Sequence, residues 1–201
     1  MWVYPALAFV VAALISSVEL ITANYPRTYF LVLRKSRALF YYALIYGLLA
    51  FIITLAADYL VAAGKLKLEG MIVGAKWFRA VAIGIAVKSL LHINLFNITT
   101  GSQTLPIGIE TITKIFEPPL IRRIIFDEFD AVRTFLAPYI AKYSNLTDVK
   151  ALIAANVPPT LPPQESQAFE TELNKAANVT QAMERGLRFL GRQTFVRIFP
   201  P

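Results

Sequence analysis

The sequence predicts an all-α, polytopic membrane protein with about three transmembrane helices and a C-terminal helical bundle or hairpin. Three observations carry that expectation. Residues 38–57 (ALFYYALIYGLLAFIITLAA) contain no charged side chain, and about 20 apolar residues in a helix span the hydrocarbon thickness of a bilayer. The 201-residue chain is 56% hydrophobic with a mean hydropathy of +0.54, too apolar for an ordinary water-soluble domain. The apolar residues concentrate before residue 100, whereas the remainder mixes Lys, Arg, Asp and Glu with apolar residues at helical spacing.

The first expected span covers residues 2–23. Trp2 and Tyr4 suit one interface, Asn24 and Tyr25 suit the other, and Pro26 ends the helix. This apolar run has no basic residues before it and no small-residue cleavage site after it, so it reads as a retained span rather than a signal peptide. The second span covers 38–60, with Tyr41, Tyr42 and Tyr46 toward its start, Asp58 and Tyr59 near its end, and Gly64 as a C-cap. The third covers 76–98 and carries Lys76, Arg79, Lys88, His92, Asn94 and Asn97. A lysine at the bilayer centre costs about 2.5–3.5 kcal/mol, so this segment either hides its charge in a bundle or sits shallow. The domains expected are therefore a transmembrane domain over 1–98 and a cytoplasmic helical domain over 99–201.

Loop charge sets the expected topology. Arg27, Arg34, Lys35 and Arg37 lie in the first loop, and Lys114, Arg122 and Arg123 follow the third segment. Lys65, Lys67, Lys76 and Arg79 lie on the opposite side. The positive-inside rule then puts the N-terminus outside and the tail in the cytoplasm, as in a prokaryotic inner membrane. The net charge of +7 arises almost wholly before residue 99, so it reads as topology signal and contact with anionic headgroups. A nucleic-acid partner is not expected.

In the tail, Gly101–Pro106 reads as a turn. A short helix over 108–116 should stop at Pro118-Pro119. A helix over 120–143 follows, with Ile125, Phe129, Val132, Leu136, Tyr139 and Tyr143 forming a heptad-like seam and Pro138 weakening it. Asn145–Ala155 reads as a short helix capped by Asn145 or Thr147, and VPPTLPPQ at 157–164 as a stiff linker. The last helix is expected over 165–197, with Phe169, Leu173, Ala176, Met183, Leu187 and Leu190 as a second seam. No segment reads as a strand.

The residue inventory excludes much chemistry. With no cysteine and the single histidine His92, disulfides, thiolate catalysis, zinc centres and histidine triads drop out. No glycine-rich phosphate loop is present. The expectation is a non-enzyme with no catalytic residues, no cofactor and no metal. Lys88, His92 and Glu19 are the candidate intramembrane or pore-lining polar residues; Lys88 and His92 lie four apart on one helix face. The plainer reading has Lys88 snorkelling to the interface and Glu19 reaching headgroups beside Arg27. Arg185, Arg188 and Arg192 form a basic stripe that would hold anionic lipid, a phosphate-bearing ligand or an acidic partner. Its plainer reading is pairing with Glu184, or with Asp127, Glu128 and Asp130, whose own neighbours Arg123 and Arg133 argue against an acidic catalytic site.

Two functions fit. The first is a homo-oligomeric membrane pore or membrane-disrupting effector regulated through its helical tail, since symmetry about an axis would shield the charged third segment. The second is a non-enzymatic anchor or adaptor that recruits a cytosolic protein to the bilayer. The first ranks narrowly ahead.

Overall fold

The computed structural model describes residues 2–66, 75–91, 96–100, 103–107 and 109–200. For residues 90–91, 96–100, 103–107 and 109–113 it describes the backbone alone. The chain forms two compact units: Met1–Ala23 with Arg37–Ile124, and Asn24–Ser36 with Ile125–Pro201. The 98/99 boundary expected from composition falls inside the first unit.

The first unit contains α1 (Val3–Asn24), α3 (Arg37–Ala62), α4 (Lys76–Leu91), the strands β1 (Phe96–Thr100) and β2 (Gln103–Ile107), and the start of α5 (Ile109–Lys142). Among the described residues, α1 and α3 are the two helices long and apolar enough to cross a membrane. Only 28% and 39% of their apolar windows are buried. Val10, Leu14, Val18, Leu48 and Ile52 all face outward. A core helix of a water-soluble protein hides such residues, whereas these two helices leave most of their apolar windows uncovered by the rest of the chain. The inward faces are lined by small side chains. Ala8, Ala12 and Ser16 recur every four residues on α1, with Gly47, Ala50 and Thr54 on α3 and Ala80 on α4. A Cβ on Gly84 would lie 2.8 Å from Val11 Cβ and 3.0 Å from the Ala8 carbonyl oxygen, so α4 approaches α1 too closely for any side chain there.

The third segment departs from expectation. α4 has 16 residues and ends at Leu91, where a span to residue 98 was expected. Sixteen residues of helix reach about 24 Å, short of the roughly 30 Å core. The chain instead forms an antiparallel ribbon that pairs Phe96 with Ile107 and Thr100 with Gln103. Ile98, Thr99, Thr100 and Thr104 favour extended backbone. The all-α class holds, with this ribbon as a small addition.

α5 is continuous through Pro118, Pro119 and Pro138, so the expected stop at 118–119 does not occur. Each proline removes a backbone donor and disfavours helix by about 3 kcal/mol. Tertiary contacts override that preference. Glu117 is tied by hydrogen bonds, and Ile124 is fully buried. At the other end of the span, α3 closes at Ala62, and Gly64 adopts φ 68° as a C-capping glycine does.

The second unit holds α2 (Tyr29–Lys35), the remainder of α5, α6 (Leu146–Ala155), α7 (Pro163–Asn174), α8 (Val179–Leu190) and α9 (Arg192–Ile198). Its core joins Leu31 of α2 to Val132, Leu136 and Tyr139 of α5. Ile153, Leu173, Met183, Leu187, Phe195 and Phe199 complete it. The single last helix expected over 165–197 is three helices. Asn178 caps α8 by accepting from Gln181 N, while Gln181 Oε1 accepts from Ala177 N. Gly191, at φ 78°, separates α8 from α9. The two expected seams bury one another in this core. The α5 seam begins later than expected, because Ile125 and Phe129 are half exposed while Glu128 and Ala131 point inward.

Candidate functional site

The polar residues of the first unit converge. Lys88, in the last turn of α4, places Nζ 2.9 Å from Glu19 Oε2 of α1. The same ammonium lies 5.6 Å and 5.3 Å from the ring centroids of Tyr42 and Tyr46, within cation–π range. Both tyrosines are buried on α3, and each hydroxyl donates to Glu117 Oε1 of α5 at 3.1 Å. One cluster therefore ties four helices through two carboxylates, one ammonium and two phenols. Further along, Arg79 Nη2 donates to Asp58 Oδ1 at 2.6 Å, and Arg79 Nε is buried with no hydrogen-bond partner among the described residues. These contacts join the end of α3 to the start of α4, and the start of α3 to the end of α4, so the two helices run antiparallel.

Chemically the cluster is a clamp. It pairs the Lys88 ammonium with the Glu19 carboxylate and satisfies the Glu117 carboxylate with two phenol donors. Among the described residues no group of three His, Asp or Glu side chains could hold a metal ion. Of the sequence candidates, Glu19 and Lys88 are brought together, and His92 lies outside the described residues. Tyr42, Tyr46 and Glu117 were not anticipated. The tyrosines resembled ordinary interfacial aromatics, and Glu117 stood beside a proline pair taken to end its helix.

The arginine stripe of the second unit splits. Arg188 Nη2 donates to Glu128 Oε2 at 2.7 Å and lies 3.2 Å from Glu184 Oε1. Glu128 is only 2% exposed, and its Oε1 has no hydrogen-bond partner among the described residues. Burial pushes the Arg188 guanidinium toward deprotonation, but the bonds and charges of Glu128 and Glu184 outweigh it and hold the group above its ordinary range. Tyr25 lies within the same field. Burial and then the Glu128 charge raise its phenol, with Arg188 opposing them. Arg185 lies 3.9 Å from Glu172, whose carboxyl is held low chiefly by its hydrogen bond to Lys175. Arg192 leaves the stripe because the turn at Gly191 starts a new helix. Its Cζ stacks 4.9 Å from the centroid of Phe30, in the segment between α1 and α3.

An open groove of about 660 Å³ runs along this unit. Phe129, Val132, Leu136 and Ile140 of α5 form its apolar wall, and Thr180, Gln181 and Glu184 of α8 form a polar one. Comparison with protein-family models, with curated proteins and with solved structures finds no match for this chain.

Proposed function

We propose that this chain is a non-enzymatic membrane anchor and adaptor, in which α1 and α3 cross the bilayer and the second unit is displayed to the aqueous phase for a partner protein. The observation that carries this reading is the segment 24–36. It connects the two bilayer-length helices, yet its Leu31 belongs to the core built from residues 125–201. Both spans thus lead into folded protein rather than into a free loop. The Lys88 charge that would line a conduit supports the same reading, because it already has a carboxylate partner at 2.9 Å. Arg27, Arg34, Lys35 and Arg37 favour a cytoplasmic location for this segment, with the N-terminus outside. α4, antiparallel to α3, supplies the return crossing.

The groove on α5 and α8 suits an amphipathic helix of the partner. Its apolar residues recur at 129, 132, 136 and 140, the spacing at which one helix lays its face against another. Arg133 and Glu184 offer opposite charges to the occupant's rim.

A pore or membrane-disrupting oligomer is the second reading. One observation favours it: the Glu19 and Lys88 side chains remain 60% and 26% exposed, a polar patch that a second copy would shield from lipid.

Liposome reconstitution separates the two. The adaptor gives ion flux at the level of empty vesicles, for the parent chain and for Lys88→Leu alike. Flux in the parent that Lys88→Leu abolishes would overturn it in favour of the pore. Photocrosslinking in native membranes from Ala137→Cys, the sole thiol of that variant, should give a discrete adduct with a different protein. An adduct with a second copy of the chain instead supports the oligomer.

A further inference from the structure

A second cleft, of about 390 Å³, lies within the second unit. The segment after α1 supplies Arg27, Tyr29 and Phe30, and the start of α9 supplies Arg192, Gln193 and Thr194. We propose that this cleft binds a phosphate-bearing anion.

The lining carries two guanidiniums and no carboxylate, with a phenol, an amide and a hydroxyl able to donate between them. Arg79, Arg185 and Arg188 each have an acidic partner. Among the described residues, Arg27 and Arg192 have none. Two like charges lining one cleft repel, and an anionic phosphate group relieves that repulsion while accepting from both forks. The arginines are also positioned beforehand. Phe30 holds the Arg192 guanidinium at 4.9 Å, and the Arg27 stem crosses Gly191, whose added Cβ would lie 3.7 Å from Arg27 Cδ. The site is a product of the fold, since Arg27 and Arg192 are far apart in sequence.

The phosphate has two possible sources, a lipid headgroup and a soluble phosphate. The location suits the first. Arg27 follows the last residue of α1, Asn24, by three positions, and three residues of chain reach no more than about 10 Å. On α2, Tyr29 and Leu33 are exposed one turn apart while Leu31 and Val32 are buried. Exposed Arg34 and Lys35 follow in the last turn, so the helix has the amphipathic pattern of an interfacial segment. The lipid source rests on the membrane reading above; the anion site does not.

The test uses the full chain in mild detergent. Native mass spectrometry compares retention of phosphatidylglycerol with phosphatidylcholine, and thermal melting compares inorganic phosphate with chloride at equal ionic strength. The variant is Arg27→Gln with Arg192→Gln, and the charge-matched control is Arg133→Gln with Arg197→Gln. A lipid site gives preferential retention of phosphatidylglycerol by parent and control, reduced about tenfold in the variant, as expected for losing charged hydrogen bonds. A soluble-anion site instead shows stabilisation by phosphate that the variant alone loses. Equal behaviour of variant and control with both probes overturns the proposal. Should the double variant melt well below the parent without ligand, Arg27→Gln alone, at an exposed position, carries the same comparison. Release of the chain by carbonate washing would remove the membrane reading and leave the phosphate comparison to decide the site.

Discussion

At the scale of single residues, Glu128 is the most exposed to loss of its partner. Its carboxylate is almost wholly inside the second unit and depends on Arg188 for its 2.7 Å bond. Truncating Arg188 leaves a buried, uncompensated charge, and such losses cost about 3–5 kcal/mol. Replacing both partners with apolar residues removes the charge as well as the bond. Arg188→Met should therefore destabilise the second unit strongly, and Glu128→Leu with Arg188→Met should recover most of that loss. Chemical unfolding followed by circular dichroism reads both, and equal losses in the two variants would refute the argument. Pairing of Arg188 with one of three acids was legible in the sequence; which acid was not. That choice depends on the rotation of α5, which turns Glu128 inward with Ala131 and Val132 and leaves Asp127 to accept from Ser36 Oγ at 2.8 Å. Glu19 and Lys88 were each singled out as polar residues in apolar segments, but the plainer reading sent Glu19 to headgroups beside Arg27 rather than to Lys88. The tie from Tyr42 and Tyr46 to Glu117 was not legible, because nothing local links residues so far apart in sequence.

At the scale of elements, apolar periodicity located the helices but not their breaks. Phe169, Leu173, Met183, Leu187 and Leu190 keep helical spacing across the break between α7 and α8, because both helices pack into one core. The interruptions are written in capping chemistry instead. Asn178 followed by Gln181 is a capping signal, and Gly191 supplies a backbone that other residues rarely adopt, at φ 78° and ψ 165°. Holding a non-glycine residue in such a region costs about 1–3 kcal/mol. Gly191→Ala should lower the stability of the second unit by that amount, whereas Gly64→Ala acts only on the end of α3. Differential scanning fluorimetry on the two variants checks the contrast, and an unchanged midpoint for Gly191→Ala would count against it. The proline pair in α5 shows the opposite failure. There the local preference pointed to a stop, and the burial of Ile124 with the tether at Glu117 carried the helix through.

At the scale of the whole molecule, the decisive fact is that residues 24–36 and 125–201 make one core although residues 37–124 intervene. Two parts of a core cannot lie on opposite sides of a bilayer. With α3 as a crossing, the chain between residues 62 and 125 must cross back. α4 has the direction required: Arg79 at its start meets Asp58 near the end of α3, and Lys88 at its end meets Tyr42 and Tyr46 near the start. Its 16 residues fall short of a full span, so the proposed topology requires a locally thinned bilayer beside it. Because the chain contains no cysteine, single substitutions report sidedness without background. Lys35→Cys and Ser144→Cys, both at exposed positions, should react with a membrane-impermeant maleimide from the same face of oriented vesicles. Lys65→Cys, beyond the end of α3, should react from the other. Labelling of positions 35 and 144 from opposite faces would break the proposed topology, and labelling of all three from one face would show that α3 does not cross.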